Sequence, residues 1–179
     1  MRIFIAIEPS EHVKARIFHE LETLQDKNLF KGKFVEKQNL HLTLKFLGDI
    51  SEEKLEEIQK KLRKINFKKF KCEIGNPGFF ESEKFIKVIW IGLISDKLEE
   101  LQKRIGDELN WESKDEKEFS SHITCARVSS VRDKKRLLEE IKKINFKKLD
   151  FEVNNFLLIK SELTQKGPIY KVIERFKSI

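Results

Sequence analysis

The sequence predicts an α+β fold made of two copies of one unit, with antiparallel sheets flanked by helices around a central groove. Two observations carry that expectation. Lys64-Ile65-Asn66-Phe67-Lys68-Lys69-Phe70 returns as Lys143-Ile144-Asn145-Phe146-Lys147-Lys148-Leu149, 79 positions later. A second pair, His41-Leu42-Thr43 and His122-Ile123-Thr124, repeats at a spacing of 81. In each half the order is a strand with the His-x-Thr dyad, an amphipathic helix, and then the Ile-Asn-Phe-Lys-Lys segment, which marks a duplicated unit. Residues 1–179 are therefore expected to form a single bilobal domain. Its two intertwined lobes are related by a pseudo-twofold, and each contributes one dyad to the groove.

The elements follow in order. Arg2 to Glu8 is a nearly continuous apolar run, as expected of a strand covered on both faces. Pro9-Ser10 ends it, and Ser10 caps a helix whose buried stripe is Val13, Ile17, Leu21 and Leu24. His12 and His19 lie off that stripe and read as solvated. Lys33 to Val35 is a short edge strand, and Asn39 to Gly48 is the first dyad strand, with Leu42, Leu44 and Phe46 assigned to the core. Ser51 caps a second helix with Leu55, Ile58, Leu62 and Ile65 inward. Phe67 to Ile74 is a strand, Gly75-Asn76-Pro77-Gly78 a turn, and Phe79-Phe80 with Phe85 to Ile94 a hairpin that includes Trp90. A third helix opens at Asp96 and runs through Leu98, Leu101, Ile105 and Leu109; 111–119 is an aperiodic loop. The second dyad strand ends at Val128, and Arg132 to Ile144 is a fourth helix. Three strands close the chain: Phe146 to Val153, Phe156 to Leu163 and Ile169 to Phe176, the last two joined at Gly167-Pro168.

Composition limits the partners. With 39% hydrophobic residues and 15 Phe the chain can bury a real core. An excess of 37 basic over 30 acidic side chains gives a formal charge of +7, which favours an anionic partner, nucleic acid first. Two scattered cysteines, Cys72 and Cys125, provide neither a disulfide framework nor a cysteine-rich metal site and point to a reducing compartment. The apolar start is too short for a signal peptide or a membrane span, so a cytoplasmic protein without membrane attachment is expected, as a monomer.

Side chains two apart on a strand share a face, so each imidazole projects beside the hydroxyl that follows it. Two histidines bracketing one phosphodiester suit acid–base chemistry, because an unperturbed imidazole is available near neutrality as either base or acid. Thr43 and Thr124 would donate hydrogen bonds to the non-bridging oxygens where negative charge builds up. This scheme requires neither metal nor cofactor. Zinc is an alternative that needs at least one more protein ligand, which no spacing nominates. A single His-x-Thr is ordinarily just a strand fragment; two copies at equivalent positions argue for a site.

The quoted residues resemble the two-histidine (2H) phosphoesterases, and among them the prokaryotic RNA 2′,3′-cyclic phosphodiesterases, also described as 2′-5′ RNA ligases. The resemblance extends over Arg2-Ile3-Phe4-Ile5-Ala6-Ile7, Asn39 to Gly48, His122-Ile123-Thr124-Cys125-Ala126-Arg127, Lys160-Ser161-Glu162-Leu163 and Gly167-Pro168-Ile169-Tyr170. It implies opening of a terminal 2′,3′-cyclic phosphate to a 2′-phosphate without a metal, and reversible 2′-5′ ligation at the same site. By motif position, His41 and His122 would be the catalytic pair, Thr43 and Thr124 the phosphate binders, Arg127 a further phosphate contact and Tyr170 a substrate-side aromatic. The substrates would be RNA ends or nucleotides bearing a 2′,3′-cyclic phosphate, tRNA fragments among them.

Lys45, two residues beyond Thr43 on a regular strand, is assigned to the RNA backbone. Arg127 lies an odd number of residues from His122, so it reaches the same face only if the strand bulges or ends. The pseudo-symmetry leaves the acid and base roles open, with His41 preferred as acid and His122 as base. The alternative from another class is an RNA-binding module in which Lys45, Arg127 and the Lys-Lys pairs grip phosphates and the histidines are structural.

Overall fold

The computed structural model describes residues 1–82, 85–110, 119–165 and 167–179. Among them, nine strands form one continuous antiparallel sheet rather than separate sheets. They are β1 (Arg2–Ile7), β2 (Phe30–Phe34), β3 (Leu42–Asp49), β4 (Phe70–Ser82), β5 (Phe85–Ile94), β6 (His122–Val131), β7 (Asp150–Val153), β8 (Asn155–Thr164) and β9 (Gly167–Lys177). The described helices are α1 (Glu11–Asp26), α2 (Glu52–Leu62), α3 (Asp96–Leu109) and α4 (Lys134–Lys143).

The strand order is β7-β4-β5-β6-β3-β1-β8-β9, with β2 added to the edge of β6. It reads alike outward from the β6–β3 junction, and the halves exchange strands. β4, from the first half of the chain, pairs with β5, while β8, from the second half, pairs with β1. The junction is a single registered pair, Leu42 opposite Ile123. These two residues stand at the same spacing as the two histidines, so equivalent positions of the two repeats meet each other. That is what a twofold through an antiparallel pair requires. Beyond it β3 leaves, and β2 takes over the β6 edge from Ala126 to Val131.

One face of the sheet carries the core. Ile3, Ile5 and Ile7 of β1, Ile89 and Ile91 of β5, and Phe156 and Leu158 of β8 join the inward stripes of all four helices. Each Leu or Ile so buried contributes about 1.5–3 kcal/mol. Ser10, Ser51 and Asp133 cap α1, α2 and α4 by accepting from backbone N–H groups in the first turn. The opposite face of β1 and β8 carries only a small cluster of Phe4, Ala6, Leu157 and Ile159, against which Tyr170 packs. This second face is the groove side. No helix among the described residues is long and apolar enough to cross a membrane.

Several expected boundaries shift. The Gly75–Gly78 turn lies inside β4, which runs on to Ser82 by slipping register between Ile74 and Pro77. A bulge accommodates Pro77, which has no N–H to give a ladder. β4 and β7 begin later than expected, at Phe70 and Asp150, and β6 continues past Val128 to Val131. Phe46 is not in the core but 66% exposed. His12 and His19 are exposed, as read. The loop expected at 111–119 lies outside the described residues except for Phe119.

Gly78 illustrates how tightly β4 and β5 are fitted. It sits opposite Trp90, and a Cβ placed there would overlap the indole ring. The variant Gly78→Ala is expected to lose about 1–3 kcal/mol of stability and to shift the Trp90 emission, read by chemical denaturation and tryptophan fluorescence. Wild-type values for both would mean that the ring is not packed on this glycine.

Candidate active site

The Leu42–Ile123 pair turns both of its side chains into the core, each with no exposed surface. Strand alternation then sends the residues on either side, His41 and Thr43 on one chain segment and His122 and Thr124 on the other, to the groove face. Continuing the antiparallel register by one residue sets His41 across from Thr124 and Thr43 across from His122. The four dyad residues form one constellation, as expected.

Each ring is held in the same way. His41 Nδ1 lies 2.7 Å from the Asn39 carbonyl oxygen, and His122 Nδ1 lies 2.7 Å from that of Ser120. A carbonyl can only accept, so Nδ1 carries the proton in both neutral rings and Nε2 faces the groove with its lone pair. Thr43 Oγ1 is 3.1 Å from His41 Nε2 and donates to it in that state. Asn39 is in turn anchored across the groove, its side-chain Nδ2 donating to the Pro168 carbonyl at 3.2 Å. The short 3₁₀ turn Lys37–Asn39 places that carbonyl.

Both imidazoles sit below their ordinary pKa. For His41 the main cause is burial, opposed by the Asn39 hydrogen bond and reinforced by the positive charges of Lys14, His122 and Arg127. For His122 burial again dominates, opposed by the Ser120 hydrogen bond. Tyr170 is raised by burial, with Arg127 acting in the opposite sense. The two thiols are buried, Cys72 pushed up to about 12 and Cys125 also upward, so neither is poised as a nucleophile.

The two bulges decide which neighbours join the dyads. Between β5 and β6 the register slips past Cys125: Trp90 faces Thr124 but Ile89 faces Ala126. That extra residue returns Arg127 to the groove face, resolving the parity problem, and its charge bears on both His41 and Tyr170. Between β1 and β3 the register slips past Leu44: Ala6 faces Thr43 but Ile5 faces Lys45. The same device here turns Lys45 the wrong way. It is buried at 8% exposure, with its ammonium beside Gly106 of α3, on the helical side of the sheet. Lys45 is thus removed from the groove, and Phe46 takes the face that a regular strand would have given it.

The aromatic neighbours of the two imidazoles, Tyr170 apart, were not anticipated as groove residues. Phe4 and Tyr170 flank His41, with ring centroids at 5.0 and 5.3 Å; Phe80 and Trp90 flank His122, at 5.0 and 6.1 Å. Alternation along Arg2–Ile7 could have nominated Phe4, but a strand apolar on both faces does not say which face is the groove. Lys33 of β2 stands opposite Arg127 and adds a second cation on that face. Among the described residues no three His, Cys, Asp or Glu side chains are grouped to hold a metal ion.

The positive charge of Arg127 helps hold the His41 pKa down, so Arg127→Ala is expected to raise it toward the ordinary imidazole value, followed by NMR titration of the ring Cε1–H signals. A His41 titration that does not move would place the guanidinium away from the ring.

Against this geometry, known proteins are informative. The family model described as LigT like Phosphoesterase matches residues 7–90 and 92–170. A Methanocaldococcus jannaschii protein named RNA 2′,3′-cyclic phosphodiesterase is 39% identical over 98% of this chain and 100% of its own. One of that name from Aquifex aeolicus is 40% identical over 81% of each. Among solved structures, TT0787 of Thermus thermophilus superposes with a TM-score of 0.78 at 26% identity, covering 99% of this chain and 97% of its own. LigT of E. coli, crystallised with 3′-AMP, shares the fold with a TM-score of 0.80 at 22% identity, covering 99% and 96%. A groove with two carbonyl-anchored His-x-Thr dyads and a family match over both halves lead to one conclusion: this chain belongs to the LigT-like phosphoesterases of the 2H superfamily.

Proposed function

We propose that this protein is an RNA 2′,3′-cyclic phosphodiesterase that opens the cyclic phosphate to a 2′-phosphate by paired histidine acid–base catalysis. The observation that carries the reading is the pair of Nε2 lone pairs turned into one groove, each fixed by an Nδ1–carbonyl hydrogen bond. The activity for which the full-length relatives are named supports it.

In the reaction, one neutral histidine removes a proton from water as the water oxygen attacks phosphorus. The P–O3′ bond breaks, and the other histidine, protonated at Nε2, gives its proton to O3′. The attacking and departing oxygens lie on opposite sides of phosphorus, which is why the histidines come from opposite strands. Thr43, Thr124 and Arg127 donate to the non-bridging oxygens, whose charge the closed-in groove would otherwise leave poorly solvated. Tyr170 lines the wall beside His41. Proton exchange with water resets the pair. If the 5′-hydroxyl of a second RNA replaces water, the same steps join the strands by a 2′-5′ bond. No metal enters the scheme. A monomer acting in the cytoplasm on RNA ends, tRNA fragments included, completes the reading.

Hydrolysis of a 2′,3′-cyclic nucleotide is expected to persist in excess chelator and to fall about 10²–10⁴-fold in His41→Ala or His122→Ala. Loss of turnover on chelation, or its survival in the double variant, would overturn the mechanism.

The pH dependence has a definite sign. Both imidazoles titrate below the ordinary 6.5, so the form with one proton shared over the pair is most populated on the acid side of that value. The profile of kcat/KM is expected to peak there and to decline as pH rises. A bound phosphodiester anion raises both groups, so kcat should peak at higher pH than kcat/KM. Coincident optima would show that the anion does not sit against the imidazoles.

A further inference from the structure

The Ile-Asn-Phe-Lys-Lys segment occurs in both halves, and the chemistry of the groove uses neither copy. In the second copy Phe146 is buried, and Asn145 spends its side-chain oxygen on the Lys147 N–H at 3.0 Å. The first copy, at Phe67, Lys68 and Lys69, opens onto a cavity of about 400 Å³ whose other wall is α3. Phe67 and Leu101, which line it, belong to the core on the helical face of the sheet, and Phe70 packs on Phe67 with ring centroids 6.5 Å apart. The cavity thus has an apolar floor and lies on the side of the sheet away from the dyads. Ile179 is fastened beside it, its N–H donating to the Phe67 carbonyl at 3.0 Å.

Four cations line that cavity against one acidic side chain, Glu100. Two of them are answered: Lys97 donates to Glu100 at 2.7 Å, and Lys69 pairs with Glu152 at 3.3 Å. The other two are not, since among the described residues neither Lys68 nor Arg104 forms an ion pair. Arg104 instead donates from Nη1 to the Asn66 carbonyl at 2.7 Å, a bond that pins the guanidinium at the rim and leaves Nε and Nη2 to a ligand. Unanswered positive charge beside an apolar floor is complemented by a molecule with a flat apolar body and an anionic end. Two cations suit a phosphomonoester, which is close to a dianion at neutral pH, better than a singly charged carboxylate. The guanidinium fork also matches two phosphate oxygens at once. The volume is in the range of sites for ligands of nucleotide size.

We propose that this cavity is a second nucleotide site, separate from the groove, in which a nucleoside monophosphate lays its base on Phe67, Phe70 and Leu101 and sets its phosphate on Arg104 and Lys68. The site goes beyond the phosphodiesterase reading and does not rest on it. Apolar contact does not read base identity, so the larger purine rings should be held more tightly simply because they cover more of the floor. A free nucleotide and the 5′-terminal nucleotide of an RNA present the same chemistry to it.

The probe is 5′-AMP, titrated into the full chain and followed by NMR, with the Leu101 methyl and Phe70 ring signals reporting on the cavity and the His41 and His122 Cε1–H signals on the groove. The cavity signals are expected to shift and saturate. Arg104→Gln and Lys68→Gln should each weaken that binding about 10–150-fold, the loss expected for one charge-assisted hydrogen bond, while any response of the groove histidines stays as in the wild type. Lys68 has no ion pair or hydrogen bond to lose among the described residues, so its variant tests the site without touching the fold; Arg104→Gln also removes the Asn66 bond, and its unfolding midpoint is measured alongside. Adenosine alone and inorganic phosphate alone each meet half of the cavity and should bind more weakly than 5′-AMP. Shifts confined to the groove histidines, cavity affinities unchanged in both variants, or inorganic phosphate bound as tightly as 5′-AMP would each overturn the proposal. An oligoribonucleotide with a 5′-phosphate then separates the two sources: saturation of the cavity signals at lower concentration than 5′-AMP assigns the site to an RNA end, at higher concentration to the free nucleotide, and either supports it. If the protein hydrolyses no cyclic phosphate, the enzymatic reading fails on its own, while the cavity signals still decide for or against the second site.

Discussion

The pairing of Leu42 with Ile123 is the contact on which the rest of the molecule depends. Among the described residues it is the one registered pair joining β3 to β6, it buries two fully inaccessible side chains, and it lies where equivalent residues of the two repeats meet. A slip of one residue there would reverse every side chain on one strand, sending His41 and Thr43 into the core and Leu42 into water. The hydrophobic demand at one buried pair thus holds four polar groups in register on the other side of the sheet. β2 completes the geometry by occupying the β6 edge that β3 vacates, so the strands part without leaving an open ladder.

Much of the fold was legible because duplication is visible in primary structure. The helices could be read from their stripes and caps, and the dyad strands from their apolar flanks. The extent of the sheet could not. Gly75-Asn76-Pro77-Gly78 has every local mark of a turn, yet pairing with β5 before and after a register slip carries β4 through it. Long-range ladders overrode a local preference, which strand propensities routinely permit. The joining of all the strands into one sheet is likewise a property of strand exchange between halves, on which no local pattern reports.

The four dyad residues were legible for a simpler reason: period-two alternation holds over the three residues from His to Thr. It fails one residue later. The bulges at Leu44 and Cys125 have no signature in residue type, and each inverts the parity of the residues beyond it. Regular alternation therefore nominated Lys45, which is buried under α3, and passed over Phe46, which is exposed. The same irregularity allowed Arg127 to reach the groove. The carbonyls of Asn39 and Ser120 escaped notice for another reason, since a main-chain acceptor is available at every position and only geometry selects one.

The exchange of strands has a consequence for how the chain is made. β1 is made before β8, yet β8, whose residues follow it by about 150 positions, is one of its two ladder partners. At about 5–20 residues per second, an interval on the order of ten seconds or more separates their synthesis. Throughout it, the apolar run Ile3-Phe4-Ile5-Ala6-Ile7 has one edge unpaired. Neither half can close its own sheet until β8 has been made, so the groove is assembled only after that strand has emerged. A prematurely terminated chain would carry a bare hydrophobic strand edge, the surface that chaperones and proteases recognise.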